Sequence, residues 1–166
     1  MKRLLLAKHW QLFLAISLLY FVGKAIAISL LSRDLKSYAA INTIVDLSVA
    51  SLILLWVWAI STHFCGFVNT RGWSIVRFKL CFFVFVVLFG AVKFLSLIGI
   101  GYHPLVNLVP FLLLIYCYAH ASICLKSFEL KTRASINEYA LDIVLILVFP
   151  VGVWFIQPRV NKAVMS

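Results

Sequence analysis

The chain has little charge and very few acidic residues. Of its 166 residues 12% are charged, against roughly 25% in soluble domains, and five are Asp or Glu. A soluble domain of this length must expose much of its surface to water, and a chain that is 64% hydrophobic cannot supply that surface. The composition therefore argues against a soluble domain and predicts an integral membrane protein whose first partner is the lipid bilayer.

The sequence also lacks the short motifs of common catalytic sites. It contains no Gly-x-Ser-x-Gly, no phosphate-binding glycine loop, no His-Glu-x-x-His and no Cys-x-x-Cys. Its basic residues form short runs between apolar segments, too short to follow a nucleic-acid backbone, so no nucleic-acid partner is predicted. No catalytic residue and no cofactor is predicted from these patterns.

Five long apolar segments form one predicted domain over residues 1–166. Each has about 20 residues, the length that a helix needs to cross a hydrocarbon core of ~30 Å. Backbone amides in lipid must be bonded within their own segment, so helices are expected rather than strands. The predicted fold is an all-α polytopic transmembrane bundle with spans at residues 10–31, 44–62, 80–101, 105–125 and 139–157.

The distribution of basic residues predicts the orientation. With a cytoplasmic N-terminus, nine Lys and Arg residues lie in cytoplasmic segments and four in external ones, as the positive-inside rule requires. The four external basic residues include Arg159 and Lys162. Basic residues on the external side argue against five complete spans. Pro150 and Gly152 interrupt the last segment, so the alternative is four spans and a re-entrant or kinked last segment. The side of the membrane that holds the C-terminus stays open at this point.

Four charged residues lie within the predicted spans, where charge is costly and marks candidate sites. Lys24, Asp46 and Lys93 fall in the external half, with Asp46 in the first turn of its span. One interpretation is a binding site or pathway for an anionic ligand, a lipid headgroup or an ion. The other is Lys–Asp pairing, with the lysine stems extended to the surface. Asp142, with Glu138, is expected to complement the dipole at the start of the last span.

Cysteine and histidine side chains form a second candidate site. Cys117, His120 and Cys124 have the i, i+3, i+7 spacing of one helix face, and His63 ends the second span in the same half of the membrane. Such ligands suit zinc, copper and iron, so a metal or haem site is one interpretation. The alternative is free thiols packed around a hydrogen-bonded His120, in keeping with a reducing cytoplasm.

The C-terminal segment has a Pro-x-Gly-x-Trp-x-x-Gln-Pro-Arg core. It consists of Pro150, Gly152, Trp154, Gln157, Pro158 and Arg159. Over about the last forty residues it resembles the ending of a group of small bacterial multi-span proteins, which implies a bacterial inner membrane and no particular activity. A hinge or docking surface is predicted at Pro150, Gly152, Trp154 and Pro158, with the helix ending at Pro158.

Three functions follow from these patterns. The leading hypothesis is an accessory or self-associating subunit that acts through helix–helix contacts with another membrane protein or another copy. The first alternative is a small oligomeric pore or transporter with Lys24, Asp46 and Lys93 along its path. The second is a metal- or haem-dependent membrane oxidoreductase that uses Cys117, His120 and Cys124.

Overall fold

The structure, a computed structural model, describes residues 5–31, 34–65, 75–98, 104–149 and 151–165. This part of the chain contains helices and no strand, so the all-α prediction is confirmed. A 3-10 turn, Pro104–Asn107, precedes the fourth helix. The helices are α1 (His9–Leu31), α2 (Leu35–Phe64), α3 (Ile75–Leu97), α4 (Leu108–Leu130), α5 (Ile136–Leu147) and α6 (Val151–Met165).

The first four helices are long and apolar enough to cross a membrane. Their candidate spans are Trp10–Ser29, Ser37–Phe64, Ile75–Leu95 and Leu105–Leu130. Large apolar side chains remain exposed along them, as expected where lipid rather than water surrounds the bundle. The chain is therefore an integral membrane protein. We call the end where α1 and α3 begin, and where α2 and α4 finish, the N-terminal end of the bundle, and the other the opposite end.

The second helix begins earlier than the sequence indicates. It starts at Leu35 and not near Ile44, because the polar residues before Ile44 continue the helix beyond the apolar core. Asp46 therefore lies well inside α2, and its predicted position in the first turn is wrong. This change places a carboxylate deeper in the membrane, where it needs a charged partner.

The fifth apolar segment is divided into two short helices that fold back on each other. With 12 and 15 residues, α5 and α6 are ~18 and ~22 Å long, shorter than the ~30 Å hydrocarbon core. In one continuous helix Asp142 and Arg159 would lie ~25 Å apart, yet their side chains form hydrogen bonds of 2.6 and 2.9 Å. The structure thus has the form of the predicted alternative, with four spans and a re-entrant last segment.

The turn between α5 and α6 lies near the middle of the bundle. Next to it, the ring centroid of Phe149 is 5.9 Å from that of Trp56, which lies ~12 Å before the end of α2. Both α5 and α6 therefore occupy the N-terminal half, and α6 ends at the same side as the start of α1. Pro150, the predicted kink residue, lies outside the described residues. Helix α6 continues past Pro158 to Met165, so the predicted end at Pro158 is wrong.

Gly152 makes this turn possible. A Cβ atom at this position would lie 1.8 Å from the backbone oxygen of Leu145, because α6 starts in direct contact with the last turn of α5. The Gly152 N–H donates to the oxygen of Val148 at 3.2 Å, which satisfies this backbone group, as lipid requires. The predicted close approach at Gly152 is found, but against the chain's own preceding helix.

We expect Gly152→Ala to destabilise the protein by ~2 kcal/mol or more, because the new methyl group can be accommodated only if the two helices move apart. Gly90→Ala is the matched control, since a Cβ there meets no atom within 4 Å and alanine favours the helix by up to ~1 kcal/mol. Denaturation in mixed micelles measures both free energies of unfolding. Equal stability of the two variants would contradict the tight turn.

Candidate functional site

Lys24, Asp46 and Lys93 come together from three helices near the opposite end of the bundle. The Lys24 ammonium lies 2.8 Å from one carboxylate oxygen of Asp46, and the Lys93 ammonium lies 3.2 Å from the other. Lys24 also donates to the side-chain oxygen of Asn42 at 2.5 Å. We call these four residues the polar cluster. Each charged side chain is about a quarter exposed, so the cluster is reachable from outside the bundle.

Both lysines of the polar cluster point towards the middle of the membrane rather than to its surface. The Lys24 ammonium lies 5.4 Å from the ring centroid of Tyr20, and the Lys93 ammonium lies 5.7 Å from that of Phe89. Each ring is four residues earlier on the same helix, which means one turn deeper. The predicted extension of the stems to the surface is therefore not what the structure shows. Asp46 draws both cations inwards.

The polar cluster carries one positive charge in excess. The chain has five carboxylates, and all five belong to described residues. Asp34 lies before the first turn of α2, and Glu129, Glu138 and Asp142 lie near the N-terminal end. Asp46 thus pairs with both lysines at once. An unbalanced charge in a span is costly, so an anion that reached the polar cluster would be stabilised there.

A mainly apolar space opens beside the polar cluster, between α1, α2 and the turn of the α5–α6 hairpin. It has a volume of about 270 Å³ and is lined by Ser17 and Tyr20 of α1, Val49 and Ile53 of α2, and Phe149 among others. It exists because the hairpin reaches only half-way through the bundle. Tyr20 belongs to both features, since its ring contacts the Lys24 ammonium and also lines the space.

The cysteine and histidine group differs from the predicted ligand set. The structure brings His120 and Cys124 together with Cys65, and their ligand atoms lie within 4.8 Å of one another. Cys117 and His63, which the sequence analysis included, are outside this group. The sulfur of Cys65 lies 3.8 Å from Nε2 of His120, and the sulfur of Cys124 lies 3.7 Å from Nδ1.

This arrangement is not evidence for a metal or haem. The two sulfurs face different nitrogens of one imidazole ring, as expected for sulfur–imidazole hydrogen bonds. A single ion bonds one of these nitrogens, at ~2.0–2.1 Å for zinc. His120 is fully buried and stacks on Phe78 with ring centroids 4.5 Å apart. Such contacts fit packed thiols around a hydrogen-bonded histidine.

Gln157, for which no role was predicted, connects α6 to Leu5 and Ala7. Its buried side chain accepts a hydrogen bond from Trp56 Nε1 at 2.6 Å and donates to the backbone oxygens of Leu5 and Ala7 at 2.7 and 3.0 Å. The sequence offered one signal for its role, a side-chain amide within an apolar segment, since polar groups in lipid need partners. Its partners come from distant segments and could not be read from spacing.

Arg159 connects α6 to both preceding helices. Its guanidinium forms two hydrogen bonds with Asp142 of α5 and two with Glu129 of α4, all between 2.6 and 2.9 Å. The bonds to Glu129 first, and then those to Asp142, raise the pKa of Arg159, so it stays charged. Asp142 is buried and pairs with this cation, so its predicted dipole role is wrong. Glu138 does lie in the first turn of α5, where the Ser135 N–H bonds it and lowers its pKa.

The remaining predicted docking residues take part in packing or face outwards. The ring of Trp154 meets the ring of Phe13 edge-on at 5.6 Å, which joins α6 to α1. Pro158 is exposed on α6. The described part of the predicted hinge therefore holds the hairpin against the bundle.

When the chain is compared with protein-family models, with curated proteins and with solved structures, none matches. The resemblance of the C-terminal core to bacterial inner-membrane proteins therefore stays a prediction.

We expect Arg159→Met to destabilise the protein by ~3 kcal/mol, because it leaves the Asp142 carboxylate, 5% exposed, without its cation. Adding Asp142→Leu to the same chain should restore part of this loss, since the uncompensated charge is then removed. Lys162→Met, also on α6 but exposed, should change the free energy of unfolding by less than ~0.5 kcal/mol. If Asp142→Leu, added to Arg159→Met, lowered the free energy of unfolding further, the stabilising role of the ion pair would be contradicted.

Proposed function

We propose that this integral membrane protein is a non-enzymatic accessory subunit that binds an anionic group at the polar cluster. The observation that carries the proposal is the sharing of one carboxylate, Asp46, by two lysines within the membrane. The excess cation supplies the attraction, and the ammonium groups have further N–H donors for an incoming oxygen anion. The predicted action through helix–helix contact stays part of this proposal.

The depth of the polar cluster suits a group at the edge of the hydrocarbon core. Lys93 lies ~3 Å, Lys24 and Asn42 each ~7–8 Å, and Asp46 ~13 Å from the nearest ends of their spans. Phosphate groups of lipids lie just outside that boundary, and the Lys93 side chain comes within reach of them when it turns outwards from Asp46. Basic pockets between transmembrane helices on the cytoplasmic side bind anionic headgroups, and the same electrostatic attraction acts at this opposite end of the bundle.

The same geometry favours binding over conduction. An ion pathway needs polar groups along its length, whereas the space next to the polar cluster is lined mainly by apolar and aromatic side chains and ends at Phe149. The oxidoreductase alternative rests on the cysteine and histidine group, whose contacts are those of hydrogen-bonded thiols. Neither alternative has an observation of its own in its favour.

We further propose that both ends of the chain lie in the cytoplasm of a bacterial cell. The fold-back of α6 supports this orientation, because it brings the last helix to the N-terminal end. Arg33 and Lys36 then remain outside, against eleven cytoplasmic bases, which satisfies the positive-inside rule better than five spans do. The eleven are Lys2, Arg3, Lys8, Arg71, Arg77, Lys79, Lys126, Lys131, Arg133, Arg159 and Lys162.

Native mass spectrometry of the full chain with phosphatidylglycerol or phosphatidylcholine tests the binding proposal. We expect preferential retention of phosphatidylglycerol, weakened about five-fold by Lys93→Met, since one basic residue near a headgroup contributes ~1 kcal/mol. Asp46→Asn should strengthen retention by a similar factor, because it adds a net positive charge. A structural role alone would instead weaken retention in both variants.

Lys93→Arg is the charge-retaining control and should keep the preference for phosphatidylglycerol. Inorganic phosphate, added as a competitor, separates a free anion from a headgroup: displacement of the lipid by phosphate would identify the free anion as the ligand. Equal retention of the two lipids by the native chain and by Lys93→Met would refute the proposed site.

Cysteine labelling in intact cells tests the orientation. We expect a membrane-impermeant maleimide to label Asp34→Cys but not Met165→Cys, with both labelled after permeabilisation. The native chain, whose free cysteines include three buried ones, gives the background. Labelling of both variants in intact cells would mean that the last segment crosses the membrane. Labelling of Met165→Cys alone would mean that the orientation is reversed.

A further inference from the structure

The apolar space between α1 and α2 adjoins the polar cluster at Tyr20, whose ring lines the space and also contacts the Lys24 ammonium, and we call the two together the slot. On α1, Lys24, Tyr20 and Ser17 succeed one another at the spacing of a single helix face. On α2, the facing positions run from Asp46 to Val49 and onwards. The slot therefore changes from charged to apolar with depth.

The length and direction of the slot match part of a lipid acyl chain. From Lys24 to Ile16, which also lines the space, the distance along α1 is ~12 Å, and it runs from the boundary of the hydrocarbon core towards its middle. Phe149, beside the turn of the hairpin, forms the floor. A lipid in a bilayer has the same order, with the charged group at the boundary and the chains extending inwards.

The slot opens sideways to the lipid. Tyr20 and Phe21 line it and are 43% and 69% exposed, so its entrance is on the outer surface of α1. A lipid molecule can therefore enter from the bilayer without leaving it. A water-soluble ligand would have to pass apolar side chains to reach the deep end of the slot.

We infer that an anionic glycerophospholipid occupies this slot, with its phosphate at Lys24 and Lys93 and one acyl chain between α1 and α2 down to Phe149. This inference rests on the proposed function, since it identifies the source of the anionic group. Charge complementarity fixes the headgroup end, and the apolar lining fixes the chain end. The lipid fills the half of the bundle that the short hairpin leaves open.

A second, larger concavity serves as an internal comparison. It lies between α2 and α3, has a volume of about 640 Å³, and is lined by Trp58, Phe82 and Phe83 with Lys79 among the lining residues. No second charged side chain of the described residues lines it. Lys79 gives this concavity a positive charge of its own, so lipid labelling there should be unchanged by the loss of Lys24 and Lys93.

Photo-crosslinking in nanodiscs tests the inference with the full chain. The probes are phosphatidylglycerol and phosphatidylcholine that carry a diazirine at the end of one acyl chain. We expect the phosphatidylglycerol probe to label peptides that contain Phe149 and Ile53, in preference to the α2–α3 concavity. Labelling at Phe149 should fall about ten-fold or more in the double variant Lys24→Met/Lys93→Met.

Substitutions that fill the apolar part of the slot test the binding of the acyl chain separately from the binding of the headgroup. Val49→Phe places a larger side chain in the apolar part, and labelling at Phe149 should fall about five-fold or more while the lysines remain. Val87→Phe, on the exposed face of α3, is the matched control and should not change labelling. Ser17→Phe fills the same space from α1 and replaces Val49→Phe if that variant unfolds.

The outcomes distinguish the two proposals. If phosphatidylglycerol is retained in a lysine-dependent way but its chain end labels the α2–α3 concavity as strongly as Phe149, the inferred slot is wrong and the headgroup site stands. If both lipids label Phe149 equally, and removal of the lysines changes nothing, the anionic site itself is wrong.

Discussion

Hydrocarbon requires the backbone amides within it to be hydrogen-bonded by the protein itself, and the last apolar segment meets that demand in an unusual way. It turns back just before Gly152, half-way through the bundle, and the Gly152 N–H bonds to Val148 across the turn. The two short helices do not span the membrane, so they need contacts that hold them against the rest of the bundle. Gln157 and Arg159 hold them, through hydrogen bonds to the start of the chain and to α4 and α5.

The short hairpin and the polar cluster are related by this geometry. A complete fifth span would pack beside α1 and α2 along their full length. Because α5 and α6 stop near Phe149, the outer part of that interface stays open, and the polar cluster around Asp46 remains about a quarter exposed. The exposure of the polar cluster and the open apolar space thus have a common cause, and together they form a site with a charged end towards the surface and an apolar end towards the middle, as a lipid has.

The sequence predicted what depends on composition and local spacing, and it was less accurate where long-range contacts decide. Four spans follow from length and apolarity, and the charges of Lys24, Asp46 and Lys93 could be placed at similar depth from the helix boundaries. The depth of Asp46 was misjudged because polar residues extend α2 past its apolar core. No local pattern shows that both lysines turn inwards to one carboxylate.

Other residues show the same limit. Cys65 joins His120 and Cys124 because α2 and α4 run side by side, which one helix face cannot reveal. The sequence did not decide whether the chain bends or reverses at Gly152, because Pro and Gly are compatible with both. Gln157 and Arg159 belonged to a visible motif, but their partners lie 150 or 152 and 17 or 30 residues away.

The bonds from Gln157 to Leu5 and Ala7 have a consequence for biosynthesis. A ribosome releases the N-terminal segment long before it translates α6, so this segment waits without its final partners while four helices enter the bilayer. The bundle can close only when α6 emerges. The contacts between α6 and the N-terminal segment therefore form after the four spans are in place, and the hairpin is the closing element of their assembly.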